Sequence, residues 1–156
     1  MDRTDIAYLI NTTPKYFYLL PLHLTLLRRY APTLKWSVYL ATEEPDHPLL
    51  TKLSPYGITI IPLTQEQEPF LESRAAATRL LPESIQYVFP IQEDFLLERQ
   101  PLQDAIQEAA QLLDDTSVSS IRLMPSPGPK GPSFGDTPLR VLGDADDYIF
   151  TYQATL

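Results

Sequence analysis

Cysteine is absent from the 156 residues, which excludes a disulfide scaffold, a thiolate metal centre and a cysteine nucleophile. Glycine is sparse, with 5 residues, and no heptad run is sustained, so collagen-like and coiled-coil architectures are excluded. Basic residues are a minority: Lys plus Arg number 12 against 20 Asp plus Glu, a formal charge of −8. A field of that sign repels nucleic acid and anionic membranes over the surface at large. It leaves room for a small, locally neutralised phosphate site. Long apolar runs are missing too. The most apolar stretch, Tyr16 to Leu27, is stopped by Arg28-Arg29 well short of the roughly 20 residues a membrane span needs. Met1-Asp-Arg-Thr-Asp5 has no basic region leading into an apolar core and a cleavage site, so no signal peptide is expected. The chain reads as a soluble, cytoplasmic protein with no membrane span and no nucleic-acid partner.

What is present is an ordinary globular composition, 44% hydrophobic and 21% charged. A chain of this length buries roughly 70% of its unfolded surface, enough for one real core. Short β-like runs alternate with longer helical ones. Ile6-Ala-Tyr-Leu-Ile10 is a compact apolar run closed by the turn signal Asn11-Thr-Thr-Pro14. Lys15 to Ala31 predicts a buried helix, with Pro21 expected to kink it or displace its start. Strands are expected at Trp36–Ala41, Ile58–Leu63, Ile85–Ile91, Val118–Met124 and Tyr148–Ala154. Helices are expected over Asp46–Pro55 (ended by Gly57), Glu68–Leu81 and Pro101–Leu113. Pro90 places the end of its strand at a sheet edge or a bend.

This alternation predicts a three-layer α/β/α domain of the Rossmann-like kind, a mostly parallel twisted sheet with helices on both faces. One domain spans residues 1–156. Five of the 16 prolines and three of the 5 glycines fall between Pro125 and Pro138, marking a flexible loop of the kind that serves as a lid or stays disordered. Leu156 ends the sequence at an apolar strand with nothing to cover it. That suggests the donor-binding half of a longer protein, or a surface that encourages oligomerisation.

In an open parallel sheet, ligands bind beyond the carboxyl ends of the strands, where the strand order reverses. The informative residues are therefore Asn11-Thr12-Thr13, Thr42-Glu43-Glu44, Gln92-Glu93-Asp94 and the Pro125 loop. Two adjacent carboxylates after Tyr87-Val-Phe-Pro-Ile91 are costly in a dry crevice unless paired. A divalent cation bridging a diphosphate would pair them. The competing reading is a solvated turn with Glu93 or Asp94 facing an arginine.

The strand and turn Ile6 to Thr13, the strand end Tyr39-Leu-Ala-Thr-Glu43, the segment Glu72-Ser-Arg74, and above all Tyr87-Val-Phe-Pro-Ile-Gln-Glu-Asp-Phe-Leu-Leu97 resemble GT-A glycosyltransferases. Tyr152-Gln-Ala-Thr-Leu156 is similar to the strand leading to the acceptor side in some members. The resemblance covers essentially the whole chain, as the donor-binding half of such an enzyme. It implies a nucleotide-diphospho-sugar donor and transfer of the sugar to an acceptor. Thr12 and Thr13 would then lie under the base or ribose, and Glu43 would accept hydrogen bonds from them. Ser73 and Arg74 would stand near the diphosphate or the acidic motif. Asp94, with Glu93, would hold Mn²⁺ or Mg²⁺ in the place of the family's DxD motif. The first Asp of that motif is Gln92 here, and a neutral amide binds a divalent ion less strongly than a carboxylate. Successive strand side chains also point to opposite faces, so Glu93 and Asp94 can share one ion only if the backbone turns there.

Other residues carry weaker signals. Asp144, Asp146 and Asp147 are the candidates for a catalytic base, against a plain solvated bend beside Gly143. Lys130 could reach a diphosphate if its loop closes, although Gly128-Pro-Lys-Gly131 lacks the spacing of a phosphate loop. His23 reads as a core residue, His47 as surface at a helix start, and Tyr16-Phe17-Tyr18 as core packing. The alternative to a transferase is a non-catalytic or truncated nucleotide-sugar or protein-binding domain of the same fold, which Gln92 favours. A receiver-type module would need an acidic pair after the first strand and an Asp after the third. Asn11-Thr12 and Thr64-Gln65 stand there instead.

Overall fold

The computed structural model describes residues 4–64, 70–98, 103–114, 118–122, 139–142 and 149–153. The chain divides into two compact units, residues 1–100 and 101–156.

In the first unit, β1 (Ile6–Asn11), β2 (Ser37–Thr42), β3 (Thr59–Pro62) and β4 (Tyr87–Gln92) form a four-stranded sheet in the order β3-β2-β1-β4. Every pair is parallel. Ile6 to Ile10 are all buried, as a central strand covered on both faces requires. Alternate side chains feed two cores. Ala7 and Leu9 join Tyr39, Ala41, Ile61 and Leu63 under Ala76 and Ala77 of α3 (Phe70–Arg79). Tyr8 and Ile10 join Leu40 under Leu20 and Leu24 of α1 (Leu20–Tyr30) and Leu50 of α2 (Pro48–Thr51). Two successive right-handed crossovers moving one way along the sheet, then one moving back, put their helices on opposite faces. The helices lie as that rule demands. The fold is three-layered α/β/α around a parallel sheet, as the alternation predicts.

Prolines and one glycine set the boundaries. Residues 14–19 form a 3-10 segment, and α1 begins only at Leu20, with Pro21 in its first turn. There the missing N–H costs nothing, so the proline displaces the helix start and does not kink the helix. Pro48 opens α2, whose N-cap His47 accepts from Leu49 N–H through Nδ1 at 3.2 Å. The Asp46–Pro55 helix is shorter than expected and continues as a 3-10 turn closed by Gly57 at φ 67°. That left-handed backbone suits a residue without Cβ. Pro90 sits on β4, the edge of the sheet, where its lost N–H breaks no inner ladder.

Three consecutive aromatics part company in the 3-10 segment. Phe17 is 1% exposed, whereas Tyr16 and Tyr18 are 37% and 67% exposed. The expectation of core packing therefore holds for Phe17 alone. A three-residue turn presents only one of three neighbours to the sheet.

The second unit contains α4 (Gln103–Leu113), β5 (Val118–Arg122), β6 (Leu139–Leu142) and β7 (Ile149–Gln153). Its three strands form an antiparallel sheet in the order β5-β7-β6. The strands read from Val118 and Tyr148 are present, but they pair with each other and do not extend the parallel sheet. Strand β6, not anticipated, lies between them in sequence. Among the described residues, no helix is long and apolar enough to cross a membrane.

Candidate functional site

The order β3-β2-β1-β4 reverses direction at β1, so the crevice of an open parallel sheet falls at the carboxyl ends of β1 and β4. Asn11 and Gln92 are register partners at that edge. Beyond the strands the floor is tied by backbone bonds, from Thr12 N–H to Ala41 O at 3.2 Å and from Leu63 N–H to Thr42 O at 2.9 Å. Thr42 is fully buried and its hydroxyl accepts from Glu44 N–H at 3.3 Å.

Asn11 carries the strongest chemical signal. Both polar atoms of its side chain are buried, and among the described residues neither has a hydrogen-bond partner. Unsatisfied buried amides are rare because each costs about 1–3 kcal/mol. Following the alternation of Ala7 and Leu9, the Asn11 side chain faces the α3 side of the sheet. Ser73 and Arg74 lie one turn before the buried Ala76 and Ala77, toward the N-terminal end of α3. A crossover helix runs antiparallel to its strands, so that end stands at the carboxyl edge. Arg74 is half-buried and already engaged by a neighbour, and burial lowers the pKa of its guanidinium. It stays cationic all the same.

The acidic motif forms a turn closed by Phe95 N–H to Gln92 O at 3.2 Å. The backbone thus bends where two adjacent carboxylates would otherwise face apart. Glu93 is 6% exposed, while Asp94 is exposed. The Glu93 carbonyl lies 3.2 Å from Nδ1 of His23, and Nε2 of His23 lies 2.9 Å from the Tyr8 hydroxyl. Tyr8 in turn stacks on Phe89, with centroids 5.6 Å apart. His23 is a core residue, as read from the sequence, but it also reaches the motif. No pattern in the sequence gives that connection, because 70 residues separate the partners.

Of the other candidates, Thr12 is buried and its hydroxyl donates to Thr13 O at 3.4 Å. Thr13 is exposed, and Glu43 is half-buried just after β2. Strands β1, β2 and β4 thus bring Asn11, Thr12, Glu43, Glu93 and Asp94 to one edge of the sheet. Lys130, Asp144, Asp146, Asp147, the 125–138 loop and Leu156 lie outside the described residues. Among the described residues, no group of three or more His, Cys, Asp and Glu gathers as a metal cage. Glu93 and Asp94 are the carboxylates of the acidic turn at this edge that could ligate a divalent ion.

His23 also fixes a pH dependence. Burial lowers its pKa from the ordinary 6.5, against smaller upward pulls from the Glu93 carbonyl and Asp94. Between the lowered folded value and 6.5 the unfolded chain binds more protons. Stability is therefore full above about pH 6.5 and is lost as pH falls toward the folded value, by up to about 1.4 kcal/mol per pH unit. Urea denaturation from pH 5 to 8 should show this slope, and His23→Asn should flatten it.

No protein-family profile matches the chain, and no curated protein matches it. Among solved structures, the crystal structure of S. aureus TarS aligns at 15% identity with a TM-score of 0.47. The alignment covers 85% of this chain and 24% of TarS. The chain thus spans about a quarter of the length of that protein. A likeness at this level carries no argument.

Proposed function

We propose that the β1–β4 crevice binds a nucleoside-diphosphate sugar, and that the protein is the donor-binding part of a glycosyltransferase. The observation that carries the reading is the buried amide of Asn11 at the switch point, unpartnered among the described residues, whose carbonyl can accept from and whose two N–H groups can donate to a polar ligand. Thr12, Thr13 and Glu43 would flank the base and ribose. Arg74 on the α3 side and the acidic turn at the end of β4 provide charges of both signs. That is what a diphosphate accompanied by a divalent ion needs. Asp94 would hold the ion, with Glu93 behind it. Bound there with the diphosphate, Mg²⁺ or Mn²⁺ supplies neutralisation of the charge that develops on the leaving group. The residues of the chain itself orient the diphosphate and exclude water from it. Lys130, the sequence's candidate for a phosphate contact, and Asp144, Asp146 and Asp147, its candidates for a base, lie outside the described residues and take no part in this reading. Gln92 favours a second reading, a domain of the same fold that binds the nucleotide sugar without turnover.

Thermal unfolding with UDP, GDP, CMP and dTDP, each with and without Mn²⁺, tests this. At 100 times Kd a ligand of the native state adds about 2.7 kcal/mol, or roughly 5–10 °C in Tm. One nucleotide should give that shift, and Asp94→Asn should remove its Mn²⁺-dependent part. No shift with any nucleotide, in a sample shown to be folded, would overturn the reading.

A further inference from the structure

The buried Tyr8–His23 pair ends on one particular peptide group, the one joining Glu93 to Asp94. A carbonyl oxygen can only accept a hydrogen bond. The Nδ1 of His23 must therefore carry the proton, and in a neutral ring Nε2 must accept, which makes the Tyr8 hydroxyl the donor. The Glu93 carbonyl thus sets the tautomer, and the Tyr8 hydroxyl, which can donate or accept, follows it.

Fixing the Glu93 oxygen fixes the plane of that peptide, and hence the direction in which Asp94 leaves the backbone. Among the described residues, one backbone bond of 3.2 Å closes the turn; Glu93 is buried, while Asp94, Phe95 and Leu96 are exposed. Helix α1 is by contrast locked down by Leu20 and Leu24, which are 0% and 2% exposed. We propose that His23 is a positioning residue, which anchors the acidic turn to α1 through Nδ1–H and so sets the orientation of the Asp94 carboxylate. This deepens the donor-site reading, on which its functional meaning rests, but the anchoring itself can be tested without any ligand.

Two substitutions separate the ends of the ring. The amide nitrogen of Asn takes roughly the place of Nδ1, and that of Gln the place of Nε2. Amide hydrogen exchange of the full chain then reports on the turn. His23→Gln should speed exchange at Phe95 about 10-fold, the loss of one well-made hydrogen bond. His23→Asn should stay within about 3-fold of the parent protein. Leu9 and Leu40 provide the reference for global stability. Phe95 exchange unchanged in His23→Gln, or rising in both variants in step with Leu40, would overturn the anchoring. Long-range ¹H–¹⁵N spectra of the unsubstituted protein give an independent check, should His23→Gln not fold. A proton on Nδ1 is required, and a proton on Nε2 alone refutes the proposal. Titration with UDP and Mn²⁺ is separate: a protein that binds no nucleotide counts against the donor reading, while exchange and tautomer still decide the anchor.

Discussion

Phe17→Ala lowers the unfolding free energy by about 3–5 kcal/mol, whereas Tyr18→Ala, one residue away, changes it by less than about 0.5 kcal/mol. The contrast follows from burial. Phe17 is 1% exposed, packed with Leu20, Leu24, Leu40 and Leu50 and edge-on to His47 at 4.9 Å. Truncating it removes a ring from the core and leaves a cavity that the surrounding strands cannot collapse to fill. Tyr18 is 67% exposed and loses little. Against a domain stability of about 5–15 kcal/mol, the first change is a large fraction of the whole. Urea unfolding of both variants gives the comparison, and equal losses would show that the segment packs differently. Phe17 also fixes the stretch that leaves β1 beyond Thr13, so a weakened Phe17 contact loosens one wall of the crevice.

The parallel sheet was legible in the sequence because each of its strands is a short apolar run bounded by a turn signal. Ile6–Ile10 before Asn11-Thr12-Thr13-Pro14 is the clearest. Prolines 21, 48 and 90 mark a helix start, a helix start and an edge strand, each through its fixed φ and missing N–H. What was not legible was pairing. The Val118 strand has the composition of its predecessors, yet it pairs antiparallel with β7. Pairing direction depends on the path of the connection and not on side-chain period. Tyr16 and Tyr18 depart from the core packing that Phe17 keeps for a different reason. Helical spacing applies to 3.6 residues per turn, and a 3-10 segment has three.

At the site, topology supplied the position and sequence supplied the candidates. The rule that ligands gather at carboxyl ends already drew attention to Asn11-Thr12-Thr13 and Gln92-Glu93-Asp94, and the two groups prove to follow adjacent strands. The different environments of Glu93 and Asp94 come from a turn that two neighbouring acids do not announce. His23 shows the limit most plainly. A histidine inside an apolar helix looks structural, and its bond to a backbone carbonyl leaves no trace in residue type at the other end.

Asn11→Leu raises the unfolding free energy of the ligand-free protein by about 1–3 kcal/mol and abolishes its nucleotide-dependent thermal shift. Leu shares the γ-branched outline of Asn, is larger, and carries no polar atom, so it occupies the end of β1 without an unsatisfied donor and acceptor. Its neighbours on that face, Leu9, Ala41 and Ile61, are apolar and buried. A position where the apolar residue would be the more stable choice, yet an amide stands, is a mark of function. Both halves of the expectation are needed. Gain in stability with loss of binding assigns the amide to the ligand. Loss of stability that the smaller Asn11→Val shares, and that overpacking by Leu therefore does not explain, would show that Asn11 is satisfied in solution, for instance by an ordered water, and would take away the observation on which the donor site rests. Gain in stability with binding intact would leave the crevice in place and move recognition to Thr12, Glu43 and Arg74. Urea denaturation and nucleotide titration of one purified variant measure both quantities.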